Sequence, residues 1–456
     1  MATPQNIKAI LQQLSDANTE KVKLAVTDID GILRGKVISF EKFVSVAETG
    51  FGFCDVVFGW DAGDAAYNNA SVTGWHTGYP DALASVDLHT LRYIPWENDL
   101  PFFLADFNNA QNQLREVCPR TLLKKVTAKC TKAGYLPFFS QEFEWFNFID
   151  NREELYKNGF RNPQPMTPGM FGYSVLRASQ ESAFFHDLYD LMKKFDVPIE
   201  GIHTETGPGV YEAAILYSDI IAAADRAVLF KSGVKEIAHR HGLIASFMAK
   251  WNESLPGCSG HVHQSLWTQN GKENLFYDKK SKTGISKLME NYIAGQLHCM
   301  PHILPMYAPT VNSYKRLVEG AWAPTTLTWA IDNRTTALRV LPGSSKSARL
   351  ETRVVGSDAN PYLAMAACLA SGLYGIINKL PLTTAPTSGS GYADKRNGEL
   401  PRTLHEATKF MKTSKVADEL FGEKFVSHFT ATREWEWQQY SKAVTDWELK
   451  RYFEII

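Results

Sequence analysis

What the sequence lacks narrows it first. It carries no excess of charge of one sign: Lys+Arg 48 stand against Asp+Glu 49, a formal net charge of −1 at pH 7. That balance gives no electrostatic basis for sequence-independent binding to nucleic acid or to an anionic membrane, so the expected ligands are small molecules. Cysteine is scarce, and the six residues (Cys54, Cys118, Cys130, Cys258, Cys299, Cys368) are scattered without CxxC spacing. This argues against a zinc cluster and a secreted disulfide framework, and fits a reducing, cytoplasmic compartment. The most apolar run, residues 363–377 (LAMAACLASGLYGII), is roughly fifteen residues, too short for an upright membrane span and suited to a packed core helix. The opening MATPQNIKAILQQL lacks a basic segment followed by an apolar one and reads as a short amphipathic helix rather than a signal peptide. There is no GxxxxGK followed by Ser or Thr, and no GxGxxG after a strand. A nucleotide site would therefore be neither a P-loop nor a Rossmann crevice.

What is present suffices for two domains in 456 residues. VKLAVTDIDGILRGKVIS alternates apolar and polar residues around Asp30-Gly31, a dipeptide that favours a tight hairpin between two antiparallel strands. Short strands continue to about Phe107, and the polar NNAQNQ (108–113) reads as a connection. The division expected is 1–110 and 111–456. Beyond it, helical patterns at 181–195 and 219–241 alternate with strand-like runs, which is α+β rather than a regular βαβ series. PTSGSGYADKRNGELP (386–401) concentrates Pro, Gly and Ser and reads as an exposed, mobile surface loop.

The chemistry lies where charge enters sequence that otherwise wants to be buried strand. In PFFSQEFEWFNF, Glu142 and Glu144 are two apart and share one face, with Phe143 and Trp145 on the other. Alone, that pair reads as a solvated strand face. IEGIHTETGPGVYEAAI, however, sets Glu205 and Glu212 on neighbouring strand ends either side of the Gly207-Pro208-Gly209 turn, and PGCSGHVHQSLW puts His261 and His263 on one face. ARLETRVV alternates Arg349, Glu351 and Arg353 against Leu350 and Thr352. Carboxylates grouped this way are rarely buried unless paired or bound to metal. Five carboxylates and an imidazole make an oxygen-rich donor set suited to Mg²⁺ or Mn²⁺. Arginines thicken nearby (Arg316, Arg334, Arg339, Arg349, Arg353, with Lys346). Their guanidinium groups suit carboxylate and phosphate. Acids, metals and arginines together are what phosphoryl transfer to a carboxylate requires. A β-barrel oxygenase would want two histidines and one carboxylate around iron, and the excess of carboxylates and arginines argues against it.

Taken in order, DIDGILRGK, FSQEFEWF, HTETGPGVYE, CSGHVHQSL, NSYKRLVEG, DNRTTALRV and RLETRVVGSDANPYL resemble glutamine synthetases and their γ-glutamyl-amine ligase relatives over nearly the whole chain. The resemblance implies an N-terminal β-grasp domain and a large catalytic domain with a curved antiparallel sheet flanked by helices. It also implies active sites shared between adjacent subunits of a ring, as a homo-oligomer of two stacked hexameric rings. By resemblance Glu144, Glu205 and Glu212 hold one metal, and Glu142, His261 and Glu351 the second, of two or three Mg²⁺ or Mn²⁺. Gly257, Arg316 and Arg353 match glutamate-binding positions, and Arg334 the position that steadies the transferred phosphoryl group. Glu200, His263, Ser265, Arg339, Lys346 and Arg349 match contacts to ATP. The reaction implied activates the side-chain carboxylate of L-glutamate as an acyl phosphate and passes it to an amine.

Two positions depart from the pattern. Six residues after Arg316, where ammonia-using members carry a glutamate, stands Trp322. The loop that supplies an aspartate to the next subunit's ammonium site reads FGWDAGD, with Asp61 the better match and Asp64 the alternative. Losing a proton acceptor and gaining an aromatic ring favours an alkyl-, poly- or arylamine over ammonia. Tyr392 lies near where some bacterial members carry a modified tyrosine, but its context does not match. A non-catalytic structural relative would be expected to shed metal carboxylates first, and here all five remain.

Overall fold

In the computed structural model the chain is described over residues 4–456, beginning with the helix Pro4–Asp16. The first sheet contains β1 (Lys21–Thr27), β2 (Leu33–Ser39), β3 (Phe51–Cys54), β4 (Asp81–Val86), β5 (Arg92–Ile94) and β6 (Leu100–Asp106). Its order is β2-β1-β6-β4-β3, with β5 on β6. β1 and β2 form the antiparallel hairpin expected around Asp30-Gly31, with Thr27 opposite Leu33. The turn is wider than a two-residue one. The Asp28 carboxylate accepts the backbone N–H of Asp30 and of Ile32, and Gly31 takes φ +83°, a left-handed conformation that glycine adopts without strain. β1 runs parallel to β6, and the helix Phe40–Val46 lays Phe43 on Phe103 with ring centroids 4.9 Å apart. Hairpin, crossing helix and parallel return strand make a β-grasp arrangement.

The second sheet is built from β7 (Tyr135–Ile149), β8 (Ile199–Thr204), β9 (Val210–Ile215), β10 (Ser218–Asp219), β11 (Leu243–Ser246), β12 (Gly260–Thr268), β13 (Trp329–Ile331), β14 (Leu338–Leu341) and β15 (Arg349–Thr352). Its order is β13-β14-β15-β12-β7-β9-β8, with β10 and β11 also on β7, and the pairing is antiparallel except for β13 with β14. The odd residues of β7 face the core: Phe143 stacks on Phe230 at 5.7 Å, and Trp145 meets Phe230 edge-on at 5.6 Å. Behind the sheet lie the helices Pro119–Lys132, Ile220–Arg240, Lys287–Ile303 and Pro361–Ile377. The last is the apolar run of the sequence, buried along almost its whole length. It crosses Lys287–Ile303 so closely that a Cβ on Gly375 would lie 2.0 Å from the Asn291 carbonyl oxygen, so only glycine fits.

Two polar knots join the first sheet to the second. Buried Arg120 is held by Asp106 at the end of β6 (2.7 Å) and by Asp225 of Ile220–Arg240 (2.8 Å). Arg433 of the helix Glu423–Lys442 pairs with Asp30 at 2.6 Å. Buried ion pairs of this kind fix geometry more than they add net stability. Residues 386–401 differ from the mobile loop expected. Leu327 N–H donates to Gly398 O, Thr387 N–H to Trp329 O, and Gly391 N–H to the Thr335 hydroxyl, while a Cβ on Gly391 would meet the Thr335 carbonyl at 2.2 Å. The composition signals a loop correctly; long-range backbone hydrogen bonds pin it. No helix among the described residues is long and apolar enough to cross a membrane, and the six cysteines are unbridged.

Candidate active site

Strand register brings the charged residues together. Along β7, Glu142 pairs with His261 on β12, and Glu144 with Glu212 on β9. Further out, His263 faces Glu351 on β15, and Glu351 faces Arg339 on β14. Directly paired residues point to the same side of a sheet, so Glu142, Glu144, Glu212, His261, His263, Glu351 and Arg339 share one face, opposite Phe143 and Trp145.

Two groups of potential metal donors stand on that face. Glu142, His263 and Glu351 each offer an atom within 4.8 Å of the others, and so do His203, Glu205 and Glu212. His261 Nδ1 also lies 3.5 Å from Glu142 and 3.2 Å from Glu351. Glu144 lies beside the second group, with one oxygen accepting the Ser259 N–H at 2.8 Å. Sequence reading missed His203. Its signal is its place two residues before Glu205, which puts it opposite Glu212 on β8, where Tyr173 stacks on its ring at 4.3 Å.

The electrostatics of this face ask for cations. Burial pushes Glu212 far above the ordinary carboxylate range, and the facing charges of Glu142 and Glu144 push it further. Glu142, despite burial, is held well below that range by His261 and His263. Burial also works against the Glu351 carboxylate, yet His261 and Arg353 hold it at about 2. The Nε2 atoms of His261 and His263 are buried without a hydrogen-bond partner. Crowded carboxylates and orphaned imidazole nitrogens fit divalent ions bound by oxygen and nitrogen.

Beside the donors, a cavity of about 210 Å³ is lined by Glu142, Glu200, His263, Ser265, Lys346 and Arg349 among others. It thus gathers five of the six residues matched to ATP contacts. Glu200 reaches it at a register shift in β8, where the strand slips one residue against β9. The sixth, Arg339, is engaged by Asp332 (2.6 Å) and Glu351 (3.0 Å). Lys346 and Arg349 have no acidic partner among the described residues, and Arg349 instead donates to His263 Nδ1 at 3.2 Å. Phe138, Tyr217 and Trp267 add an aromatic wall that sequence reading did not pick out.

On the other side, Arg316 is buried with its Nε unpartnered, and the Gly257 backbone lies against it. A Cβ on Gly257 would fall 2.7 Å from Arg316 Cγ and 2.4 Å from the Ala249 carbonyl oxygen, so a larger residue would displace the arginine. Arg353 bonds to Glu351 and donates from Nε to the Arg334 carbonyl at 3.0 Å. Arg334 itself is exposed, with no ion pair among the described residues.

The amine-end candidates are not drawn into this cluster. Trp322 is 59% exposed, on a loop where its φ of +57° is left-handed. Asp61 packs against the helix Glu423–Lys442: Oδ1 accepts the N–H groups of Gly63 and Ala65 at 2.9 Å, and Oδ2 accepts Trp435 Nε1–H at 2.8 Å. The alternative, Asp64, pairs with Arg34 at 2.8 Å.

A paired-acid sheet face beside an unpaired-cation cavity has clear counterparts. The model of the glutamine synthetase catalytic domain matches residues 116–452. The chain belongs to the glutamine synthetase family. It is an ATP-dependent carbon–nitrogen ligase of that family, whose members use ATP and divalent metals. It is 51% identical to type-1 glutamine synthetase 2 of Dictyostelium discoideum, across 98% of this chain and 86% of that protein. It is 35% identical to glutamate–isopropylamine ligase of a Pseudomonas species, across 99% of each. It is 33% identical to a γ-glutamylethanolamide synthetase of Streptomyces coelicolor, across 99% of this chain and 96% of that one. Among solved structures, GmaS in complex with ADP superposes with a TM-score of 0.84 at 27% identity, covering 98% of this chain and 99% of that one.

Proposed function

We propose that this ligase joins L-glutamate, through its γ-carboxylate, to an organic amine, using ATP and releasing a γ-glutamylamide, ADP and phosphate. The observation that carries the reading is Trp322, an exposed aromatic ring where an ammonia-using site needs a carboxylate. A ring offers apolar and cation–π contact to an alkylammonium, and no acceptor for a proton from NH₄⁺. Asp61 supports it, because its carboxylate is already bonded by Trp435, Gly63 and Ala65. The names of the isopropylamine and ethanolamide relatives point the same way.

In this reading Arg316, with the Gly257 backbone beside it and Arg353 across the site, takes the carboxylates of glutamate. Glu200, His263, Ser265, Arg339, Lys346 and Arg349 hold ATP, with its base toward Phe138, Tyr217 and Trp267. The glutamate γ-oxygen attacks the terminal phosphate, and Arg334 neutralises the charge on the phosphoryl group in flight. The amine then displaces phosphate from γ-glutamyl phosphate. Glu144, Glu205 and Glu212, with His203, would hold one divalent ion, and Glu142, His261 and Glu351, with His263, a second. Two or three Mg²⁺ or Mn²⁺ would supply the positive charge that lets two anions approach. Residues 1–110 and 111–456 are the two domains of this reading. The ring assembly draws support from exposed apolar side chains at Tyr156, Phe160, Phe171, Phe453 and Ile455. In such a ring Asp61 and Trp322 meet across subunits, and the compartment is the cytoplasm.

A second reading, glutamine synthesis with a rebuilt ammonium site, is favoured by the name of the 51% identical relative. Steady-state phosphate release with glutamate, ATP·Mg²⁺ and a panel of amines separates the two. Isopropylamine, ethanolamine or a larger amine is expected to give the highest kcat/KM; ammonia as the best acceptor would replace the first reading with the second.

A further inference from the structure

A second cavity, of about 730 Å³, lies where the first sheet meets the catalytic sheet. It is bounded by the β1–β2 turn, by the helix Glu423–Lys442 at Arg433 and Glu436, and by one side of the helix Ile220–Arg240. Its volume is in the range of small-molecule sites. Lys231 Nζ sits over the ring of Phe143, at 5.9 Å, and that ring faces away from Glu142 and Glu144. The cavity is therefore separate from the donor cluster.

Its wall is apolar, formed chiefly by Phe148, Ile244, Phe247 and Trp251. Into it come two lysines one helical turn apart, Lys231 and Lys235, neither with an ion pair among the described residues. Lys231 Nζ donates only to the Ala359 carbonyl, at 3.1 Å, and otherwise lies over Phe143 and Phe247; Lys235 Nζ also lies over Phe247, at 5.8 Å. None of the acids on the cavity wall forms an ion pair with either lysine, although Asp358 keeps one oxygen without a hydrogen-bond partner. Asp30 pairs with Arg433 at 2.6 Å, and Asp358 accepts the Thr310 hydroxyl at 2.8 Å and that of Ser313. Burial raises Glu436 toward its neutral form. Burial lowers Lys231 to about 7, helped by the charge of Lys235 and opposed by the charges of Asp358, Asp30 and Asp28, and desolvation of its amine against Phe247 lowers Lys235 too, although much of that side chain is exposed. The buried indole Nε1–H of Trp251 lacks an acceptor. Two lysine amines without an ion-pair partner, set against aromatic rings with an idle indole donor nearby, suit an anion attached to something apolar, whose charge would favour their protonated forms.

We propose that this cavity binds a small monocarboxylate with an alkyl or aryl body, its carboxylate between Lys231 and Lys235 and its body against Phe148, Phe247 and Trp251. Nothing in this depends on which amine the ligase uses.

The test is isothermal titration of the full-length protein, in its native assembly, with octanoate as probe and octanol as the uncharged counterpart. L-glutamate and Mg·ADP are held saturating throughout, to keep Arg316 and the nucleotide cavity occupied. Saturable octanoate binding is expected, with octanol weaker by about tenfold or more. Lys235→Gln, at the exposed mouth where folding is not at stake, and Lys231→Met should each weaken octanoate by about tenfold and leave octanol unchanged. Three results would overturn the assignment: no saturable binding, as when a second copy of the chain covers the cavity; octanol bound as tightly as octanoate; or octanoate affinity unchanged in Lys235→Gln.

Discussion

The two ends of the proposed active site are built in different ways. At the phosphoryl end the charged side chains stand on paired strands, where register alone places Glu142 opposite His261 and Glu351 opposite His263. At the proposed amine end, Trp322 and Asp61 stand on loops, one exposed and the other fastened to Trp435 of a helix far along the chain. Strands hold geometry to fractions of an ångström, as charge neutralisation during phosphoryl transfer demands. Loops tolerate substitution without disturbing the sheet. On the proposed function, the comparison teaches how this fold would keep glutamate activation fixed while its nucleophile changes.

That contrast can be broken or sharpened by substitution. Glu351 should cost most: Glu351→Gln leaves Arg339 and Arg353 without their shared carboxylate and removes a proposed metal donor. Turnover should fall by roughly 10³-fold with every amine alike, measured as phosphate release. A fall confined to one amine would break the division between the ends. Next comes Trp322→Glu, which restores a carboxylate at the amine end. The ratio of kcat/KM for ammonia to that for an alkylamine should rise by about 10²-fold. Gly257→Ala sets a methyl group 2.7 Å from Arg316 Cγ. It should raise the KM for glutamate by about tenfold while leaving the amine preference alone. Smallest is Trp435→Phe, which deletes the N–H held by Asp61 while keeping an aromatic ring beside Tyr67. The KM for the amine should rise by roughly threefold, as expected for one hydrogen bond lost at a positioning residue, with kcat unchanged.

The same contrast governs what the sequence discloses. The strand face was legible because period-2 spacing within FSQEFEWF, GHVHQS and RLETR already says which residues point together. Register then only had to align them. His203 sits in that pattern too, but one histidine beside two glutamates does not stand out until Glu212 is found opposite it. The aromatic wall of Phe138, Tyr217 and Trp267 comes from two strands and the connection between β9 and β10, and nothing in any one of them points to the others. Least legible were the long-range ties. Residues 386–401 carry the composition of a mobile loop, yet backbone bonds to Leu327, Trp329 and Thr335 hold them in place. Trp435 lies 374 residues from the Asp61 it holds. Contacts of that kind have no periodicity for a sequence reader to find.

The central claim, that glutamate activation and amine choice are physically separate, is tested most directly by the rate of γ-glutamyl phosphate formation without any amine. The intermediate cyclises to 5-oxoproline, so single-turnover release of 5-oxoproline from glutamate and ATP·Mg²⁺ reports that step alone. Wild type and Trp322→Glu are predicted to release it at the same rate even as their preferred amines diverge. A Trp322→Glu enzyme that forms 5-oxoproline more slowly by tenfold or more would contradict the account.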